Sequence, residues 1–565
     1  MPKITPRSIP APAVQHLLDS GHSAALAKIF AARGITDSAQ LDTSLAALLP
    51  FDNLKNVRQM AGLLADALGA KKKLLVIADY DADGATACAV AVRGLRTFGT
   101  NIDFIVPNRF EYGYGLTPEI VHLAAQSHPD ILLTVDNGIA SVEGVAEANR
   151  LGMQVFVTDH HLPGDTLPDA ACIVNPNQPG CSFPSKHLAG VGVMFYVLLA
   201  LRAELRTRGA FATQPEPNLG NLLDLVALGT VADVVKLDQN NRILVQQGLQ
   251  RIRAGRGCAG INALLQAAKK NPAKASSLDL GFTVGPRLNA AGRLDDMSLG
   301  INCLLADDTA TAMQIAAKLD SLNRERRSIE AEMQESALAA LENIDPSGNF
   351  TLTLFDATWH QGVIGILASR LKDKYHRPTI AFARANDGEI KGSGRSIAGL
   401  HLRDALDRVS KRHPALIKKF GGHAAAAGLS IAETDFDLFV AAFEKVVGEL
   451  LSADDLAQHI ETDGALEQGE MTLEVARILD SQVWGQGFPT PQFNDDFTVQ
   501  NQRVVGEKHL KLRLDKRGKI IEAILFGHNE PLPEQVHAVY SLSVNEYNGN
   551  QSLQLIVRHW RHTKG

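Results

Sequence analysis

Residues 71–84 read KKKLLVIADYDADG. Positions 74–78 have the length and unbroken apolar character of a strand buried on both faces, and the Ala-rich stretch that follows, to about Phe98, has that of a helix. A Gly-containing turn joins them, so the segment is a βα unit. The pattern recurs at ILLTVDNG (131–138) and QVFVTDHH (154–161), each after a helical stretch. Short aliphatic strands alternating with helices predict an α/β fold with a parallel sheet covered on both faces.

Chemistry-bearing side chains follow each strand-like segment: Asp79, Asp81 and Asp83 in DYDADG, Asp136 in TVDNG, Asp159, His160 and His161 in TDHH, and Asp233 in ALGTVAD. In a parallel sheet the carboxyl ends of all strands open on one edge, so these residues are expected to converge there. A single carboxylate at a strand end is more often a helix cap, which is the alternative for Asp83. Several carboxylates in one crevice repel one another unless a cation holds them, so the group predicts a metal site. Oxygen ligands with one or two imidazoles suit Mn²⁺ or Mg²⁺ better than zinc. Two such ions, roughly 3.5–4 Å apart, would clamp the attacking and leaving oxygens of a phosphodiester. No GxSxG elbow, Walker A loop or HExxH accompanies the acids.

Beyond this region a helical pattern without Gly or Pro runs over 309–341 and is expected to span between domains. A second alternating region from Asn349 to about Glu449 predicts a smaller α/β domain. The last hundred residues give short alternating strands with Gly and Asn-Gly turns, expected to close as a small β-barrel. The expected division is an N-terminal helical or irregular segment (1–48), a catalytic domain (49–245), a connecting region with the long helix (246–346), the second α/β domain (347–450) and the barrel domain (451–565). A chain of 565 residues is too long for one core. Its 45% apolar and 21% charged composition is that of a globular protein. No run of 18 apolar residues and no secretory pattern appear, so no membrane partner is expected and the compartment is expected to be the cytoplasm. Five scattered cysteines without a CxxC pair read as reduced packing residues. The net charge of −6 carries no argument for nucleic acid, but its distribution does: 391–423 holds eight Lys/Arg against two Asp, and 503–519 seven against two acids.

TDHH together with DYDADG, TVDNG and GTVAD, in this order, resembles the DHH phosphoesterases. PNRFEYGYGL (107–116), HLAGVGV (187–193), GPRLNAAGR (285–293), WHQGVIGI (359–366), KGSGRS (391–396) and GGHAAAAG (421–428) resemble the RecJ branch of that family. The resemblance covers nearly the whole chain. It implies a metal-dependent hydrolase that degrades single-stranded DNA from the 5′ end in repair and recombination, with single-strand-binding protein and a helicase as partners. Asp79, Asp81, Asp136, His160 and Asp233 are implied as ligands of Mn²⁺ or Mg²⁺, two ions in all, with Asp81 or Asp136 bridging. Asp83 and Asp159 are implied behind them. His161 is implied beside the scissile phosphate, stabilising charge or protonating the leaving oxygen; the alternative is that it orients a neighbour. Some relatives carry a histidine ahead of the first Asp, where this sequence has LLVIA.

For DNA, Arg109 with Tyr112 and Tyr114 combines a guanidinium with aromatic faces. Arg287, Asn289 and Arg293 resemble a backbone-contacting stretch, their alternative being structural arginines with acidic partners. Gly392 and Gly394 around Ser393 and Arg395 are expected to let amides, a hydroxyl and a guanidinium close on one phosphate. His360 and His423 match the domain that captures the terminal phosphate in this family, which would set direction, and a channel between two domains would exclude duplex. The barrel resembles an OB fold that takes single strands. Two rivals remain open: a DHH enzyme for oligonucleotides or cyclic dinucleotides, and a non-catalytic DNA-binding scaffold, whose sign would be gaps in the acidic set.

Overall fold

The computed structural model describes residues 2–107, 115–341, 348–385 and 388–563. The aliphatic run of the opening stretch forms the strand Lys73–Ala78, buried over its last five residues. It lies in a five-stranded, wholly parallel sheet ordered Asn101–Ile105, Lys73–Ala78, Ile131–Val135, Gln154–Thr158, Cys172–Val174. The chain leaves the first strand to one side and returns on the other. A topological switch point therefore falls between Lys73–Ala78 and Ile131–Val135, where their carboxyl ends open a crevice.

One face of the sheet packs Leu75, Ile77, Leu132 and Val155 against Ile120, Val121 and Val145 of the helices Pro118–Ala125 and Val142–Arg150. Against the other lies the helix Ala82–Thr97, whose Ala- and Gly-rich sequence lets Gly190–Thr207 and Leu223–Ala232 approach closely. The ALGTVA segment before Asp233, expected as a strand, is the end of the last of these helices. Its unbroken apolar run marks burial on all sides, a signal that helix and buried strand share.

The chain divides into two compact units. Pro6–Asp320 and Glu461–Gly565 form the first; Ser321–Ile460 with the extreme N-terminus forms the second. The helix Thr309–Leu341 carries the chain from one into the other. The second unit holds a mixed sheet ordered Lys419–Gly422, Ala426–Ala432, Glu389–Arg395, Thr379–Arg384, Leu352–Asp356, with Phe382, Phe439 and Phe443 in its core. In the first unit Phe493–Val505, His509–Lys516, Lys519–Phe526, Asn550–His562 and Gln535–Tyr547 close a five-stranded barrel in that order. Its last hairpin turns at Asn548-Gly549, both at positive φ, as the Asn-Gly signal predicts. The N-terminal region holds the helices Ala11–Asp19 and Ala24–Ala31. All five cysteines are free. Among the described residues no helix is long and apolar enough to cross a membrane.

Candidate active site

The DYDADG turn sits at the switch point. Asp81 caps the helix Ala82–Thr97, its Oδ1 accepting the N–H groups of Asp83 (2.9 Å) and Gly84 (3.0 Å). Asp83, for which a local cap was the alternative, instead reaches across to another helix. Its carboxylate accepts the N–H groups of Gly190 (2.6 Å) and Val191 (2.9 Å), the first residues of Gly190–Thr207, where the helix dipole favours a negative charge. Asp136 follows Ile131–Val135 in the left-handed region at φ 62°, and its N–H donates to Thr158 O at 3.0 Å. The neighbouring Asn137 amide ties the turn to Ile77 O and Val135 O. Gly190 is required beside it, since a Cβ there would lie 2.5 Å from Asp136 Oδ1.

His160 and His161 leave the end of Gln154–Thr158. Asp159, fully buried, organises both: its Oδ1 accepts the N–H groups of His160 (2.7 Å) and His161 (3.1 Å) and meets His161 Nδ1 at 2.8 Å, while Oδ2 accepts the N–H of Ile139 at 2.9 Å. Asn175 and Asn177 donate to the carbonyls of His161 (3.0 Å) and His160 (2.6 Å). Asp233 caps the end of Leu223–Ala232, and Val234 after it holds φ 60°, a conformation that costs a β-branched residue and persists only where its surroundings impose it.

These elements bring one set of candidate ligands together. His160 Nε2 lies 3.1 Å from Asp136 Oδ1, 3.4 Å from Asp233 Oδ2 and 4.0 Å from Asp83 Oδ2. Three overlapping groups have ligand atoms within 4.8 Å of one another: Asp79, Asp81 and Asp136; Asp136, His160 and His161; Asp83, His160 and Asp233. Burial first, and then mutual repulsion, holds the carboxyls of Asp79, Asp136 and Asp233 well above the usual range. The same causes raise Asp83 to about 7. Burial alone would raise Asp159 too, but the His161 hydrogen bond and the charges of both histidines hold it below the ordinary value. Burial works against the His161 imidazolium; its bond to Asp159 and the charges of Asp159, Asp79 and Asp233 outweigh that and lift it to about 9. An ionised Asp159 can only accept, so Nδ1 of His161 is the donor in their bond and Nε2 is the nitrogen left for chemistry. A buried set of carboxylates that raise one another's proton affinity, with imidazoles beside them, fits a hard divalent cation.

The expected DNA residues fare unevenly. Arg109, Tyr112 and Tyr114 lie outside the described residues. Arg287, expected at the DNA by resemblance, takes the alternative of a structural arginine with an acidic partner: its guanidinium binds Asp320 Oδ1 (3.0 Å from Nε, 2.8 Å from Nη2) and Thr283 O, and it is only 9% exposed. Asn289 Oδ1 accepts the Ala82 N–H at 2.8 Å, which fixes the DYDADG turn; Arg293, on the same helix Gly285–Leu294, is half-buried.

In the second unit, Ser393 Oγ accepts a hydrogen bond from Arg395 Nη1 at 3.1 Å. Both side chains lie against Gly365, in the first turn of Ile364–Tyr375, where a Cβ would be 2.9 Å from each. The expected role of Gly392 and Gly394 is corrected. Glu389–Arg395 is paired on both sides, so its amides serve the ladder, and these glycines make room for Phe382, Leu429 and Leu402. His360 Nδ1 accepts the Gly362 N–H at 3.1 Å, and His423 is exposed at the turn between Lys419–Gly422 and Ala426–Ala432.

Comparison with known proteins agrees with the motifs. The DHH family, N-terminal domain, matches residues 73–230, the DHHA1 domain 348–449 and the RecJ OB domain 462–559. The single-stranded-DNA-specific exonuclease RecJ of Dickeya dadantii is 49% identical over 562 residues, spanning 97% of this chain and 98% of that protein. The Escherichia coli protein of the same name is 49% identical over 94% of this chain and 95% of its own. The crystal structure of RecJ in complex with Mn²⁺ from Thermus thermophilus matches with a TM-score of 0.84 at 30% identity, over 100% of this chain and 80% of that one. Its Mg²⁺ complex gives 0.78 at 29% identity, over 100% and 78%. The chain belongs to the RecJ family, whose named members are single-stranded-DNA-specific exonucleases.

Proposed function

We propose that this protein is a metal-dependent exonuclease that hydrolyses single-stranded DNA from the 5′ end, and that Asp79, Asp81, Asp136, His160 and Asp233 hold two divalent cations, Mn²⁺ or Mg²⁺. The observation that carries the reading is the convergence of these five side chains at the switch point, where the Asp79, Asp136 and Asp233 carboxyls have their proton affinity raised by burial and by neighbouring carboxylates. Divalent cations bound there would supply Lewis-acid polarisation of a phosphodiester and activation of water near neutral pH. Asp81 and Asp83 also serve as helix caps, which fixes their carboxylates against the backbone. His161, held through Nδ1 by Asp159, offers Nε2 to the scissile phosphate, where it stabilises developing charge or delivers a proton to the departing oxygen.

In the second unit Ser393, Arg395 and the start of Ile364–Tyr375 provide a hydroxyl, a guanidinium and helix N–H groups for a terminal phosphate, with His360 and His423 on neighbouring turns. Arg293 and Asn289 remain assigned to the strand's backbone, together with Arg109 and Tyr114. The division at residues 48, 245, 346 and 450 is kept as a working scheme. Single-strand-binding protein and a helicase are the proposed partners, and the cytoplasm the proposed compartment. The test is digestion of single-stranded DNA labelled separately at each end, with Mn²⁺, Mg²⁺ or chelator, for wild type and Asp136→Ala. Metal-dependent release from the 5′ end, lost in the variant while DNA binding persists, is expected. Activity confined to dinucleotides, or none with any metal, would overturn the assignment.

A further inference from the structure

Phe282 is the most exposed large apolar side chain among the described residues, at 75%. It sits in a π-helical turn, Leu280–Val284, set between the short helix Ser277–Asp279 and Gly285–Leu294. Such wide turns are rare and are frequently found at functional sites. Leu278, four residues earlier, is 48% exposed, and Val234, the strained residue after Asp233, is 62% exposed.

The place of this helical run in its unit gives the exposure a meaning. It packs on the end of Leu223–Ala232 that carries Asp233: a Cβ at Gly281 would lie 3.1 Å from Val231 Cγ1 and one at Gly285 3.2 Å from Ala232 Cβ. Farther along, Gly292 lies so close to Tyr80 O that a Cβ would come within 2.1 Å, and Asn289 holds the Ala82 N–H. At the other end it meets the barrel and its lead-in. Lys274 Nζ pairs with Glu546 Oε2 at 2.7 Å, and Ser277 Oγ donates to Trp484 O at 2.9 Å. Tyr547, beside Glu546 in the barrel, is 74% exposed. An aromatic ring left bare by the described residues thus stands on the element that links the barrel to the metal ligands.

We propose that Phe282 is a stacking step for a base of single-stranded DNA on the path between the barrel and the proposed metal ligands. The inference rests on the exonuclease reading and deepens it. A strand in use has unpaired bases whose faces lose water on an aromatic ring whatever their identity, so the contact grips DNA without reading sequence. A duplex keeps its base faces stacked inside and gains nothing from the ring, so Phe282 also favours single strands.

The test compares wild type, Phe282→Ala, Phe282→Leu and Phe282→Trp on single-stranded DNA about 20 nucleotides long, intact or with one abasic site moved along it. Phe282→Ala is expected to raise KM about 5- to 100-fold with kcat at saturating DNA unchanged, Phe282→Trp to restore it and Phe282→Leu to restore it only in part. An abasic site at one fixed distance from the scissile bond is expected to weaken wild type and to have no further effect in Phe282→Ala. An alanine variant within twofold of wild type, or one with the wild-type abasic profile, overturns the proposal. So does a melting temperature that falls together with activity and is not restored by tryptophan, which assigns the ring to packing. Failure of wild type to degrade single-stranded DNA counts instead against the exonuclease reading.

Discussion

Gly190→Ala places a methyl group against Asp136, one of the proposed metal ligands, without changing any of those ligands. Gly190 opens the helix Gly190–Thr207, and its N–H is held by Asp83 at 2.6 Å. An added Cβ would lie 2.5 Å from Asp136 Oδ1 and 2.6 Å from Asp136 Cβ, about 0.9 Å inside ordinary contact. Asp136 cannot retreat through its backbone, which is pinned at φ 62° by its bond to Thr158 O. The carboxylate must swing or the helix must move. A displacement near 1 Å at a reacting centre costs about 10²-fold in rate, or about 3 kcal/mol, whereas the helix gains at most ~1 kcal/mol from losing a glycine. Release of nucleotides from end-labelled single-stranded DNA, titrated with Mn²⁺, is expected to show kcat down about 100-fold and the half-saturating Mn²⁺ concentration shifted upward. Retained secondary structure by circular dichroism separates this from unfolding. Activity within threefold of wild type at an unchanged Mn²⁺ dependence refutes the reasoning.

Asp159→Asn removes the ionised acceptor of His161 Nδ1 and is expected to lower kcat about 10- to 100-fold, while His161→Ala costs about 10²- to 10⁴-fold; equal rates for Asp159→Asn and wild type would dissociate the pair. Carboxyls whose folded-state pKa is raised stabilise the metal-free fold while protonated, and that contribution is lost as pH rises through about 7 for Asp83. Bound Mn²⁺ takes the ionised form, so the gain in melting temperature on adding Mn²⁺ is expected to grow between pH 5.5 and 8, and a gain that is flat or shrinks counts against the assigned ligands. Arg287→Met breaks the pair with Asp320 and is expected to cost about 2 kcal/mol of stability in denaturant unfolding while leaving the salt dependence of DNA binding unchanged. A fall of about one in that slope would return Arg287 to the DNA.

Asp79, Asp81, Asp136, His160 and His161 were legible because a parallel strand declares itself locally and the carboxyl end of every such strand reaches the same edge. Asp233 was found for a different reason than its geometry supplies, since an apolar run buried on all sides looks alike in helix and strand. What a local reading cannot supply is a partner far along the chain. The choice between DNA and an acidic partner for Arg287 stayed open because Asp320 lies 33 residues away. Gly392 and Gly394 looked like a phosphate cradle because the strands on either side of theirs, and the rings their missing side chains admit, are set by the tertiary fold. The reach of Asp83 to the Gly190 and Val191 amides was invisible for the same reason. Asn175 and Asn177, in the NPN stretch, carried a turn signal and nothing to connect it with the two histidine carbonyls they bind.

The nuclease unit is assembled from two stretches of chain, Pro6–Asp320 and Glu461–Gly565, with the other unit made between them. Their junction includes an ion pair between Arg33 and Asp463 whose side chains are 0% and 2% exposed, and the Arg33 guanidinium also donates to Pro489 O and lies over Trp484. During synthesis on the ribosome that guanidinium has no carboxylate to meet until 430 more residues have been added. Burying a charge ahead of its partner is costly, so the N-terminal part stays open at this point while the intervening unit folds. This junction is therefore sealed only after the intervening unit has been synthesised, and a nascent chain truncated before Asp463 is left with it open.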